Sequence, residues 1–185
     1  MVAVEAKPYA TAGGTSDVVG ALSGALRREG YDVRLVLPYY GAIIRAPRFQ
    51  IERLSDLDVP VGSEPVQASV YRDDHNTYLI GNDPFGYFGQ AGQGNVPVYP
   101  TLEDRSVEAG ELYAFFCRAA LELVRRLRDD GWQPDFVHCH DWPTGLLPAY
   151  LKLDPPDPAH LEGPQVAFTV HNMSDIVYQG GWFGP

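Results

Sequence analysis

The stretch Tyr9–Leu22, YATAGGTSDVVGAL, sets a glycine pair between a short apolar start and an amphipathic run, and its reading decides the fold. Upstream, Val2–Val4 (VAV) reads as the end of a buried strand, short against the usual strand of about five or six residues. From Ser16 onward Val18, Val19, Leu22, Ala25 and Leu26 recur with helical period. Thr15 or Ser16 is placed to cap the free amides, and Gly30 to stop the helix. Asp32–Pro38 (DVRLVLP) is then a continuous apolar run closed by proline, as expected for a strand covered on both faces. Strand, glycine turn, helix and strand make one βαβ unit. A dinucleotide fingerprint is missing, because the glycines are Gly13, Gly14 and Gly20 and the second strand ends in Leu37-Pro38-Tyr39 rather than in an acid. A lysine-bearing phosphate loop is missing too. Two readings of the turn stay open: a helix start whose amides take a phosphate or a sugar oxygen, or a tight connection with no ligand.

Composition narrows the classes. With 185 residues, 45% of them apolar, the chain can bury one ordinary core, so a single domain over 1–185 is expected. A formal charge of −10 repels phosphate backbones and anionic lipid, which argues against nucleic acid and membrane partners. Cys117 and Cys139 are the whole cysteine complement, one in a helical pattern and one in a strand pattern, which suits a reducing compartment better than a disulfide scaffold. Together with the lack of a membrane-length apolar run or a signal core, this predicts a cytoplasmic protein.

Further along, FQIERLSDLDVPVG and VQASVYRDDHNTYLIG alternate with strand period, and the polar break Arg72–Asn76 predicts a hairpin. Asn82–Val107 has no period and reads as a long loop. A long helix is expected from about Ser106, with Leu112, Phe115, Phe116, Ala119, Ala120, Leu123, Val124 and Leu127 on one stripe. Asp135–His140 (DFVHCH) is a buried strand running into a helix that Pro143 suits at its start. QVAFTVHN is another buried strand, ending at His171 and Asn172. The expected fold is α/β: a Rossmann-like, doubly wound, mainly parallel sheet with a β-hairpin insertion. In such sheets ligands gather beyond the carboxyl ends of the strands, here Gly13-Gly14, His140-Asp141 and His171-Asn172.

The cluster HCHDW suggests a metal, but a strand turns His138 and His140 to one side and Cys139 and Asp141 to the other, so no metal is expected. His138 reads as a sheet-face histidine and His140 as a cleft residue able to bond a sugar hydroxyl. Asp141 is expected to cap the following helix, and Trp142 to form a wall.

Three blocks carry a resemblance: EAKPYATAGGTSDVVGALSGALRREGYDVRLVLPYY, PDFVHCHDWPTGLLPAYLK and VAFTVHNMSDIVYQGGWF. With AFFCRAALELVRRL they resemble, in order and rough spacing, the amino-terminal half of bacterial glycogen synthases and plant starch synthases. The resemblance implies a retaining glucosyltransferase that moves glucose from a nucleotide sugar, commonly ADP-glucose, to the nonreducing end of an α-1,4-glucan. It also implies one of two Rossmann-like halves in a glycosyltransferase-B arrangement, with the nucleotide sugar as substrate and no cofactor.

Carried over by position, the resemblance makes His140 the catalytic-cleft residue, beside the transferred sugar. Gly13, Gly14, Asp17, Asp141, His171, Asn172, Tyr178, Gln179 and Gly180 become substrate-binding. Thr11 stands at the family's glycine-loop lysine, with Thr15 and Ser16 for its leucine and glycine. Glu108, Ala109, Leu112 and Tyr113 stand where the family often has D-N-x-x-R-F, and HNMSDIVYQG is three residues longer than HNLAYQG. The carboxyl-terminal, donor-binding half is expected to lie outside this chain, leaving one wall of a two-wall site, inactive alone and inclined to a partner domain or self-association. The alternative is a noncatalytic relative that binds glucan, nucleotide sugar or a protein; an unrelated Rossmann-like oxidoreductase is remote.

Overall fold

A computed structural model describes residues 1–44, 49–81, 98, 109–156 and 163–172. The elements run α1 (Gly14–Arg28), β1 (Leu35–Pro38), α2 (Gly41–Ile44), β2 (Ile51–Val61), β3 (Glu64–Asp73), β4 (Thr77–Gly81), α3 (Ala109–Asp129), β5 (Phe136–His140), α4 (Leu146–Leu153) and β6 (Gln165–Thr169). A 3-10 turn, Trp142–Thr144, leads into α4.

The short apolar start VAV is the middle of the parallel part of the sheet, between β1 and β5. Val2 bridges in parallel to Val36 of β1 on one side and to Cys139 of β5 on the other. Its N–H donates to the His138 carbonyl at 2.8 Å and its carbonyl accepts from the His140 N–H at 3.0 Å. On the β1 side, Ala3 N–H donates to Val36 O at 3.1 Å and Val36 N–H to Met1 O at 2.9 Å. β1 pairs in parallel with β4, and β5 with β6, so the spatial order is β2-β3-β4-β1-(1–4)-β5-β6. The α/β class is as expected, and so is the hairpin break, since the β3–β4 turn falls at Asp73–Thr77. The antiparallel part is larger than a hairpin. β2 and β3 also pair antiparallel from Ile51↔Asp73 to Val61↔Glu64, and the three strands form a meander.

Burial explains the strand choices. Leu35–Pro38 is buried at every residue, as a central parallel strand must be, whereas β2 buries only Leu57 and Val59 and turns alternate side chains outward. The expected burial of QVAFTVHN does not hold: β6 pairs on one side only, with β5, and Val166, Phe168 and Val170 are exposed among the described residues. All eight apolar residues of the α3 stripe are buried, and Tyr113, Cys117 and Leu121 join them. α3 is covered on a second side by the 3-10 turn and α4, where the Cys117 thiol donates to the Pro143 carbonyl at 3.3 Å. Arg118 and Arg125 each reach Asp154 at the end of α4, at 2.5 Å. Both cysteines are buried and unpaired, and burial pushes each thiol up to about 12. No helix among the described residues is long and apolar enough to cross a membrane.

α1 departs from its expected face. The buried line is Ser16, Val19 and Ser23, while Val18 is exposed. Small residues are buried because the helix lies almost against the chain that enters it: Lys7 N–H donates to the Ser16 carbonyl at 3.0 Å, and a Cβ on Gly20 would sit 2.6 Å from the Lys7 carbonyl oxygen. The cap differs too. Gly13 is the N-cap, with no side-chain cap bond, and the Ser16 hydroxyl donates back to the Gly13 carbonyl at 2.7 Å. At the other end Gly30, at φ 91°, closes the helix as expected, with Tyr31 N–H reaching the Leu26 carbonyl at 3.1 Å.

Gly20→Ala is therefore expected to lower stability by about 1–3 kcal/mol through a backbone collision. Gly24→Ala, whose Cβ meets only the tip of Arg28 at 3.5 Å, should raise it by about 0.5–1 kcal/mol. The urea midpoints of the two variants should move in opposite directions.

Candidate active site

Because segment 1–4, β5 and β6 are parallel neighbours, their carboxyl ends open on one edge. Glu5–Gly14 leaves the first, His140-Asp141 the second and His171-Asn172 the third. The sheet thus brings the sequence-predicted Gly13, Gly14, His140, Asp141, His171 and Asn172 to one edge. Tyr178, Gln179 and Gly180 lie outside the described residues, as do the Asn82–Val107 loop apart from Val98, and Glu108.

The glycine loop is held from beneath by a residue without a role in the sequence reading. Glu5 is 1% exposed, and its Oε2 accepts the Ala12 N–H at 2.7 Å and the Gly13 N–H at 2.8 Å. Two of the amides expected to be free are thus already spent. Those of Gly14 and Thr15, next along the helix start, have no acceptor among the described residues. Neither glycine of the pair is demanded by the backbone: Gly13 is extended at φ −153°, and a Cβ on Gly14 would meet nothing within 4 Å. Asp17 is exposed in the first turn of α1 and pairs with Lys7 Nζ at 2.6 Å. The loop is tied down on its far side by Tyr9, whose hydroxyl meets Asp73 and accepts from Thr77 Oγ1 at 3.0 Å. A buried acid after a strand and shortly before a glycine pair was the available signal for Glu5.

Three imidazoles meet at the ends of β5 and β6, His138 and His140 tilted against each other and His140 beside His171 nearly coplanar. The His138 and His140 rings are 4.0 Å apart and those of His140 and His171 5.3 Å apart. His138 Nε2 meets Thr169 Oγ1 at 2.7 Å, and His140 Nδ1 meets His171 Nε2 at 3.0 Å. His138 and His140 do share one side of the strand, as the strand period requires. His140 is 1% exposed, enclosed rather than lining an open surface, and its Nε2 has no partner among the described residues. Burial first, then the neighbouring His138 and His171, pull its pKa down from 6.5 to about 3. His140 is neutral at pH 7, a polar contact and not a cation.

Asp141 does not cap the helix. Its carboxylate makes no cap bond, and its backbone carbonyl instead accepts from Thr144 N–H at 3.0 Å and Thr144 Oγ1 at 2.9 Å. The reason is its backbone, φ 63° and ψ 172°, a region nearly reserved for glycine. The bond from its N–H to Thr169 O at 2.8 Å and the two from Thr144 hold it there. It is buried, and its Oδ1 has no partner among the described residues. Trp142 meets Tyr113 edge-on at 5.0 Å, in keeping with a wall. Among the described residues the one cluster with metal-ligand spacing is Asp73, Asp74 and His75, at the β3–β4 turn and away from HCHDW.

The fold is α/β, and the candidate residues gather beyond the carboxyl ends of parallel strands. A starch synthase catalytic domain model matches residues 1–184, and the chain belongs to that family. It is 38% identical over 181 residues to the glycogen synthase of Exiguobacterium sibiricum, covering 96% of this chain and 34% of the relative. To the glycogen synthase of Geotalea daltonii it is 33% identical over 183 residues, covering 97% and 35%. Among solved structures it resembles the catalytic domain of starch synthase IV from Arabidopsis thaliana bound to ADP and acarbose, at a TM-score of 0.75 and 28% identity, covering 92% of this chain and 33% of that one. The chain spans about a third of the length of these relatives.

Asp141→Gly is expected to raise stability by about 1–3 kcal/mol, by releasing backbone strain and an unpaired buried oxygen together. A lowered melting temperature would refute this. Acid should destabilise the fold through His140: below pH 6.5 the unfolded chain takes up a proton that the folded imidazole refuses until about pH 3. Stability then falls by about 1.4 kcal/mol per pH unit across that window as pH drops. His140→Gln should remove that share of the slope in urea titrations from pH 7 to pH 4.

Proposed function

We propose that this chain is the acceptor-side half of a retaining glucosyltransferase of the glycogen and starch synthase kind. Joined to a donor-binding half, it transfers glucose from a nucleotide sugar, ADP-glucose in the first place, to the nonreducing end of an α-1,4-glucan. The observation that carries the reading is the open space at Gly14 among the described residues, beside two helix-start amides without an acceptor among them. A glycine pair that the backbone does not need, at the ligand edge of a parallel sheet, is explained by the close approach of a ligand. The Arabidopsis starch synthase IV catalytic domain that the chain resembles is bound to ADP and acarbose, which fits ligands of this class.

In this reading the Gly14 and Thr15 amides face the donor's anionic or sugar oxygens, and neutral His140 faces a sugar hydroxyl. Asp17, Asp141, His171, Asn172, Tyr178, Gln179 and Gly180 complete the substrate wall. Retaining glucosyl transfer develops positive charge on the sugar and negative charge on the leaving diphosphate, which fixed dipoles stabilise only where water is excluded. One wall leaves the reacting groups in water, so the half is inactive alone, with the donor-binding half or a second copy as its partner. We place it in the cytoplasm, with no cofactor and no metal. Thr11, at the family's lysine position, favours a second reading in which the chain binds such ligands without catalysis.

Calorimetric titration with ADP-glucose, UDP-glucose and maltooligosaccharides tests this. Gly14→Ala should leave the melting temperature unchanged or slightly raised while weakening binding by about tenfold or more. His140→Ala should weaken maltooligosaccharide or nucleotide-sugar binding. If every ligand binds both variants as it binds the parent, the assignment of this edge is wrong. Glucosyl transfer restored by adding a donor-binding half supports catalysis, and binding without any restored transfer supports the second reading.

A further inference from the structure

The contact between His140 Nδ1 and His171 Nε2, at 3.0 Å, forces a choice on both rings. Two neutral imidazoles in contact through one nitrogen each hold one proton between those nitrogens, so one ring donates and the other accepts. If His171 donates, the remaining proton of His140 sits on Nε2, which is enclosed and has no partner among the described residues. If His140 donates from Nδ1, its Nε2 is bare. Orphaned buried N–H groups are rarer in folded proteins than under-used acceptors. His171 is only half-buried, so its own Nδ1–H can be hydrated when its Nε2 accepts. The second arrangement is the cheaper one.

We infer that His171 is a positioning residue that acts through His140: by accepting the Nδ1 proton it holds His140 with Nε2 bare, as an acceptor for a hydroxyl donated by a bound ligand. His138 does not compete for either nitrogen of His140, because its own Nε2 is engaged by Thr169 Oγ1 at 2.7 Å. The His138 ring lies 4.0 Å from that of His140, and the His171 ring 5.3 Å from it and nearly coplanar. That the hydroxyl belongs to a sugar rests on the function proposed above; the proton's position does not.

The test is nitrogen-15 NMR of the histidine side chains in the 185-residue chain, with the His140 signals assigned by replacing the other histidines singly. In the parent chain His140 should carry its proton on Nδ1, with Nε2 at the shift of a bare nitrogen. His171→Ala should let the proton move toward Nε2, the tautomer free imidazoles favour. His171→Gln, whose side-chain carbonyl can accept, should restore Nδ1–H. A parent chain with His140 protonated on Nε2 overturns the inference without recourse to any variant, and so does a tautomer unmoved in folded His171→Ala. Maltooligosaccharide affinity should follow the proton, falling about tenfold in His171→Ala and recovering in His171→Gln. A tautomer that behaves as stated in a chain that binds neither sugar nor nucleotide sugar supports the role of His171 and overturns the proposed function instead.

Discussion

The two-sided pairing of segment 1–4 is the constraint on which the site depends. Val2 gives its N–H and its carbonyl to β5, while its neighbours Met1 and Ala3 bond to β1. Without that seam β1 and its meander would form one sheet, and β5 with β6 another. With it, the chain leaving Val4 emerges beside His140, and the segment from Glu5 to Gly14 starts at the carboxyl ends of the parallel strands. Ladder bonds are modest singly, but here they decide which strand ends are neighbours.

The loop that emerges is fixed from three directions. Glu5 holds two amides from below, Tyr9 ties the loop to Asp73 and Thr77 at the β3–β4 turn, and Gly20 lets α1 close against the Lys7 backbone. A buried carboxylate is costly unless hydrogen bonds compensate it, and the amide pair supplies that compensation. The amides of Gly14 and Thr15, next along the chain, have no acceptor among the described residues.

The chain carries a net charge of −10, and its candidate site holds carboxylates, Asp141 next to His140 and Asp17 in the first turn of α1. Burial keeps His140 uncharged, and the nearness of His138 and His171 reinforces this, since a second positive ring at such range is disfavoured. The two tautomers of a neutral imidazole differ in hydrogen-bond direction, so the position of the His140 proton sets what that ring can bond. The strained Asp141 beside it fits the same economy, in which stability is given up locally at a site and recovered in the packing around it.

The sequence by itself determined the α/β class, the α3 stripe, the β3–β4 hairpin and the strand ends, because periodicity and punctuation are local properties. It also carried the family in the blocks around Gly13-Gly14 and HCHDW. It missed the buried face of α1, read from apolar residues, because close approach to Lys7 selects small side chains at Ser16, Gly20 and Ser23. It made Asp141 a cap, although a backbone forced to φ 63° turns the carboxylate from that duty. It passed over Glu5, whose partners lie seven and eight residues on. Tertiary structure alone decided that VAV is the centre of the sheet's parallel part and that His140 meets His171, because both depend on which strands lie side by side, and pairing across long separations leaves no mark in the local pattern.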